Sequence, residues 1–119
     1  MRERFSAVLD QFQPDVIHFH CIQRLTTDIV MEAADREIPY FITMHDGWWI
    51  SDRQFLVNEA GSIETYDYND PEQTRQVFGD KAVERQFTIQ RALQNCAGIL
   101  AVSDPFRRVL EDCAGLRNV

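Results

Sequence analysis

Three short apolar runs, separated by stretches with helical spacing, constrain this chain more than any other feature. They are residues 15–20, containing Val-Ile-His-Phe-His, residues 38–44, and residues 98–102, Gly-Ile-Leu-Ala-Val. Short apolar runs that are partly β-branched suit buried strands. Phe5, Val8, Leu9 and Phe12 recur at i, i+3, i+4 and i+7, which predicts a helix over 3–12 that Pro14 stops. Leu25, Ile29, Val30, Ala33 and Ala34 predict a second helix over 24–37. Val83, Phe87, Ala92, Leu93 and Cys96 predict the inward stripe of a third over 81–97. Beyond the last strand, Asp104 is a good N-cap and Pro105 a good first-turn residue. Phe106, Val109, Leu110 and Cys113 then face the core until Gly115 ends that helix. Strands alternating with helices imply an α/β fold with a parallel sheet and right-handed crossovers. Strands apolar on both faces imply a sheet covered on both sides.

Residues 46–80 break the alternation and are too long for a plain connection, which points to function or mobility. Within them, residues 55–58 and 62–66, split by Glu59-Ala60-Gly61, could pair as a hairpin. The segment from Tyr66 to Pro71 has turn chemistry. Residues 116–119 read as the start of a further strand, and a helix rather than a strand opens the chain. The whole is read as one incomplete domain, residues 1–119, with an insertion at about 46–80.

Composition narrows the partners. A net charge of −7 argues against nucleic acid or an anionic membrane surface, both of which reward clustered Lys and Arg. It leaves room for a phosphate-bearing small molecule. Cys21, Cys96 and Cys113 are odd in number and widely spaced, which argues against a disulfide framework or structural zinc and favours reduced thiols in the cytoplasm. No apolar stretch of about 18 residues is present, and the start of the chain lacks the apolar core of a signal peptide.

The chemistry-bearing residues cluster where the second run ends, in His45-Asp46-Gly47-Trp48-Trp49. Ligands of open α/β sheets sit outside the carboxyl ends of the strands. His45 can bond a ligand hydroxyl or phosphate, and Asp46 could orient it or accept a hydroxyl proton. Trp48 and Trp49 could stack on a ring, with one expected in the core and one near the site. Arg53, in the same loop, could hold a phosphate or carboxylate. Ser103 either binds an anion at a helix start or caps that helix. His18 and His20 share one strand face, and with His45 and Asp46 would make a four-ligand metal set for a hydrolase. Sparse histidines and the lack of supporting motifs argue against that alternative. There is no Gly-rich phosphate loop.

Three segments, taken in order, carry a resemblance. They are Pro14-Asp15-Val16-Ile17-His18-Phe19-His20, the run from Ile38 to Trp49 with its Thr-Met-His-Asp-Gly-Trp-Trp, and Cys96 to Ser103. Together they resemble the amino-terminal domain of group 1 (family 4) glycosyltransferases of the GT-B fold, over about residues 5–119. The resemblance implies a Rossmann-like domain and a retaining transfer from a nucleotide-sugar donor to a sugar or glycolipid acceptor, without a catalytic metal or other cofactor. It implies His45 near the donor sugar and its phosphates, and Asp46 with Gly47, Trp48 and Trp49 lining the meeting point of donor and acceptor. His20, Arg53 and Ser103 complete the expected substrate-binding set. The family's opening strand with its Gly-rich loop and its carboxyl-terminal nucleotide-binding domain have no counterpart here, so the chain alone is expected to be inactive. A domain lacking partner layers should expose apolar surface and self-associate. A cytoplasmic location, with room for a peripheral place on the inner face of a membrane, goes with this reading. A non-catalytic carbohydrate-binding or assembly module is the remaining alternative.

Overall fold

The structure, a computed structural model, describes residues 1–119. Three strands, β1 (Ile17–Phe19), β2 (Tyr40–Met44) and β3 (Gly98–Ala101), form a parallel sheet in the order β1-β2-β3. Ile17 pairs with Tyr40 and Phe19 with Ile42, while Ile42 pairs with Ile99 and Met44 with Ala101. Five helices flank it: α1 (Arg2–Phe12), α2 (Asp28–Asp35), α3 (Pro71–Phe78), α4 (Asp80–Gln94) and α5 (Asp104–Ala114). The expected α/β class and parallel sheet are therefore present.

Local chemistry sets the boundaries. Gln13, in the left-handed region at φ 50°, ends α1 by donating its N–H to the Leu9 carbonyl, so the stop comes one residue before Pro14. Ser103, extended, caps α5 by accepting the Phe106 N–H, and Pro105 fills the first turn. Gly115, at φ 62°, closes the same helix onto the Leu110 carbonyl.

The core lies on one face of the sheet. Phe19, Tyr40, Ile42, Met44 and Ile99 pack there with Ile29, Val30 and Ala33 of α2, Ile89, Ala92 and Leu93 of α4, and Leu110 of α5. Phe5 of α1 also packs against this group. Burying each large side chain contributes about 1.5–3 kcal/mol. The Tyr40 hydroxyl donates to the Ala92 carbonyl at 2.5 Å, which ties β2 to α4.

Three expectations about faces are corrected. The sheet is covered on one side only: Val16, Phe41, Leu100 and Val102, which alternate with the core residues, are exposed. The reason is that the core-forming helices all pack on the other face. Phe87 points outward because Gln86 takes the inward position, donating its amide to the Tyr68 carbonyl at 2.5 Å. On α1, Leu9 is buried but Val8 and Phe12 are exposed, because the helix packs mainly against α2.

The 46–80 segment holds a 3₁₀ turn at Gly47–Trp49, the helix α3, and one antiparallel bridge between Val57 and Ile63 in place of a two-stranded hairpin. Asn58 holds that turn, its side-chain oxygen accepting the N–H groups of Ala60 and Ser62. Residues 116–119 form no strand, although the Asn118 carbonyl accepts the Ile99 N–H at 2.8 Å along the β3 edge. No helix is long and apolar enough to cross a membrane.

Candidate functional site

Strand alternation carries His18 and His20 of the β1 run, and Thr43 and His45 of the β2 run, onto the uncovered face. His18 Nε2 lies 2.7 Å from Thr43 Oγ1, and His20 Nδ1 lies 3.0 Å from His45 Nε2. The His18 and His20 rings stand 4.3 Å apart by centroids, and those of His20 and His45 5.3 Å apart. A hydrogen bond between two imidazoles needs a proton on one nitrogen and a lone pair on the other. His45 Nε2 is thus occupied by His20, and its Nδ1 is the nitrogen left for a ligand.

Asp46 faces its own loop. One carboxylate oxygen accepts the Trp48 N–H at 3.0 Å, the other accepts the Gln54 side-chain amide at 2.7 Å, and the Gly47 N–H donates to the Gln54 carbonyl at 2.7 Å. The carboxylate therefore builds the turn that follows β2. Trp49 is buried in the main core, and Trp48 is half-buried with its ring edge-on to Trp49 at 5.3 Å. The Arg85 guanidinium lies 4.6 Å over the Trp48 ring and donates to the Trp48 carbonyl. Burial lowers the Arg85 pKa, while Asp52, 3.0 Å away, acts in the opposite direction.

The other candidates have local partners. Arg53 Nε lies 2.8 Å from Glu64 Oε2, an ion pair across the turn in which neither buried atom completes a hydrogen-bond geometry. The Arg53 guanidinium also lies over the Phe78 ring. The Ser103 hydroxyl is engaged by α5. With His18 on Thr43 and Asp46 inside its turn, no group of three or more His, Cys, Asp or Glu side chains converges as a metal site would require.

The structure thus brings together His18, His20, Thr43 and His45. Thr43 was missed by sequence reasoning, although its i, i+2 spacing from His45 was a readable signal. Arg85 carried no such signal, because it lies on α4 and reads as part of a solvated helix face.

A parallel sheet of strands alternating with helices is Rossmann-like, here with the core helices on one face only, and is consistent with part of a GT-B amino-terminal domain. Comparison with known families matches residues 1–119 to Glycosyltransferase Family 4, and the chain belongs to that family. No curated protein and no solved structure matches it.

Proposed function

We propose that this domain contributes the acceptor side of a retaining sugar transfer from a nucleotide-sugar to a sugar or glycolipid acceptor. The observation that carries the reading is the His20–His45 pair at the carboxyl ends of β1 and β2, in a chain of this family. His45 contacts the transferred sugar or its phosphate through Nδ1, and His20 holds its ring and tautomer. Asp46 keeps the turn in shape; receiving an acceptor proton would require it to release the Gln54 amide. The nucleotide pocket is assigned to a second, carboxyl-terminal domain of the enzyme.

The test is turnover of nucleotide-sugar by the enzyme with that domain present. His45→Ala should lower turnover at least about tenfold, which corresponds to ~1.4 kcal/mol. That is close to the lower bound for a hydrogen bond to a charged group. Unchanged turnover would remove His45 from the reaction.

A further inference from the structure

Three of the four buried polar side chains in this protein line one cavity. Ser51, Thr74 and Gln86 are 4%, 7% and 8% exposed, and all three border a space of about 380 Å³ between α4, the end of α5 and the 46–80 segment. The fourth, Glu32, is held elsewhere by Arg2 and Arg36. Polar groups in the interior need hydrogen-bond partners, so such groups do not gather around a void without consequence. Gln86 uses its amide nitrogen on the Tyr68 carbonyl, and its Oε1 has no partner. The Ser51 hydroxyl accepts the Arg53 N–H at 3.1 Å, and Tyr66 lines the same space.

The remaining lining defines the ligand chemistry. Trp49, Tyr66 and Phe78 supply aromatic surface. The one cation, Arg85, is already paired with Asp52, so a phosphate or carboxylate finds no free positive charge. A purely apolar molecule would leave the Gln86 oxygen without a partner. A volume of this size falls among ordinary small-ligand sites. None of His18, His20, His45 and Asp46 borders the space.

We propose that this cavity is a second site that binds a neutral, polyhydroxylated ring of monosaccharide size. Hydroxyl groups of the ring both donate to and accept from the Ser, Thr and Gln side chains, while its C–H faces lie on the aromatic rings. The site is separate from the strand-end imidazoles and needs no nucleotide-sugar, so its failure is distinct from failure of the transfer reading.

Saturation-transfer NMR and titration calorimetry on this chain provide the test. The probes are glucose, galactose, mannose and N-acetylglucosamine at millimolar concentration. Glucose 1-phosphate serves as the anionic control and cyclohexanol as the apolar one. At least one neutral sugar should bind, with affinity reduced at least about tenfold in Gln86→Leu and unchanged in Glu3→Gln, an exposed position on α1 outside the cavity lining. Should Gln86→Leu fail to fold by circular dichroism, Thr74→Val takes its place with the same expectation. The proposal is overturned if no neutral sugar binds, or if only a control compound does. It is equally overturned if binding survives the cavity variant undiminished.

Discussion

Replacing Gly47 by alanine isolates the turn that follows β2. Gly47 is buried, and its φ is not positive, so the demand for glycine here is one of space. A Cβ at this position would stand 2.6 Å from Leu56 Cγ, closer still to Cδ2, and 3.1 Å from the Gln54 carbonyl oxygen. Leu56 cannot easily withdraw. It is 7% exposed, packs with Tyr68 and Ala114, and its own backbone lies in the left-handed region at φ 55°. The Gln54 carbonyl is also fixed, because it accepts the Gly47 N–H. Overpacking of this kind costs about 1–3 kcal/mol. A domain of this size loses roughly 3–6 °C in Tm per kcal/mol, so Gly47→Ala should melt roughly 3–18 °C lower by calorimetry. Leu56→Ala removes the obstructing side chain. In that background Gly47→Ala should cost about 0.5 kcal/mol or less, giving a coupling of about 0.5 kcal/mol or more. Equal losses in the two backgrounds would show that Leu56 is not the obstacle and would refute the steric account.

Three further outcomes are expected. Asp70 caps α3 by accepting the N–H groups of Glu72 and Gln73, so Asp70→Ala should lose about 1 kcal/mol in urea titrations, and an unchanged midpoint would deny the cap. Hydrogen bonds from Arg36 and Arg2 hold the Glu32 carboxyl below its ordinary value. Its stabilisation is complete above the unfolded glutamate pKa of about 4.3 and is lost as pH falls through the depressed folded value. Glu32→Gln should therefore flatten the acid limb of the Tm–pH curve, and an identical limb would exclude this carboxylate as a source of acid sensitivity. Val16, Phe41, Leu100 and Val102 leave an apolar strip on the uncovered sheet face, so light scattering at high concentration should show a dimer or larger species, and a clean monomer would contradict that expectation.

Much of the framework was legible because it depends on periodicity. Runs such as Tyr40–Met44 announce a strand wherever they sit, and Asp104-Pro105 marks a helix start, although Ser103, one residue earlier than expected, supplies the cap. The same signal stood at Asp70-Pro71, but the surrounding Tyr, Asn and Asp residues read as turn and concealed α3. Sidedness was not legible, since Phe41 and Ile42 are both apolar and only the placement of the helices decides which one is covered. The His20–His45 bond depends on parallel register between two strands, which no single run specifies. The Arg85 stack on Trp48 joins residues far apart in the chain and is equally invisible locally.

The segment after β2 connects the two sites argued for here. His45 turns outward to the uncovered face, whereas Trp49 turns inward to the core and borders the 380 Å³ cavity. Between them Asp46 and Gly47 fix a single 3₁₀ turn through Trp48 and Gln54. Arg85 clasps the far side of that turn through the Trp48 carbonyl and lines the cavity as well. A shift of the turn must therefore move both an imidazole and a cavity wall. Substitutions at Asp46 or Gly47 should disturb transfer and sugar binding together, whereas those at His20 or Gln86 should separate them. The short bonded turn, rather than proximity in sequence alone, is the physical basis for expecting that distinction.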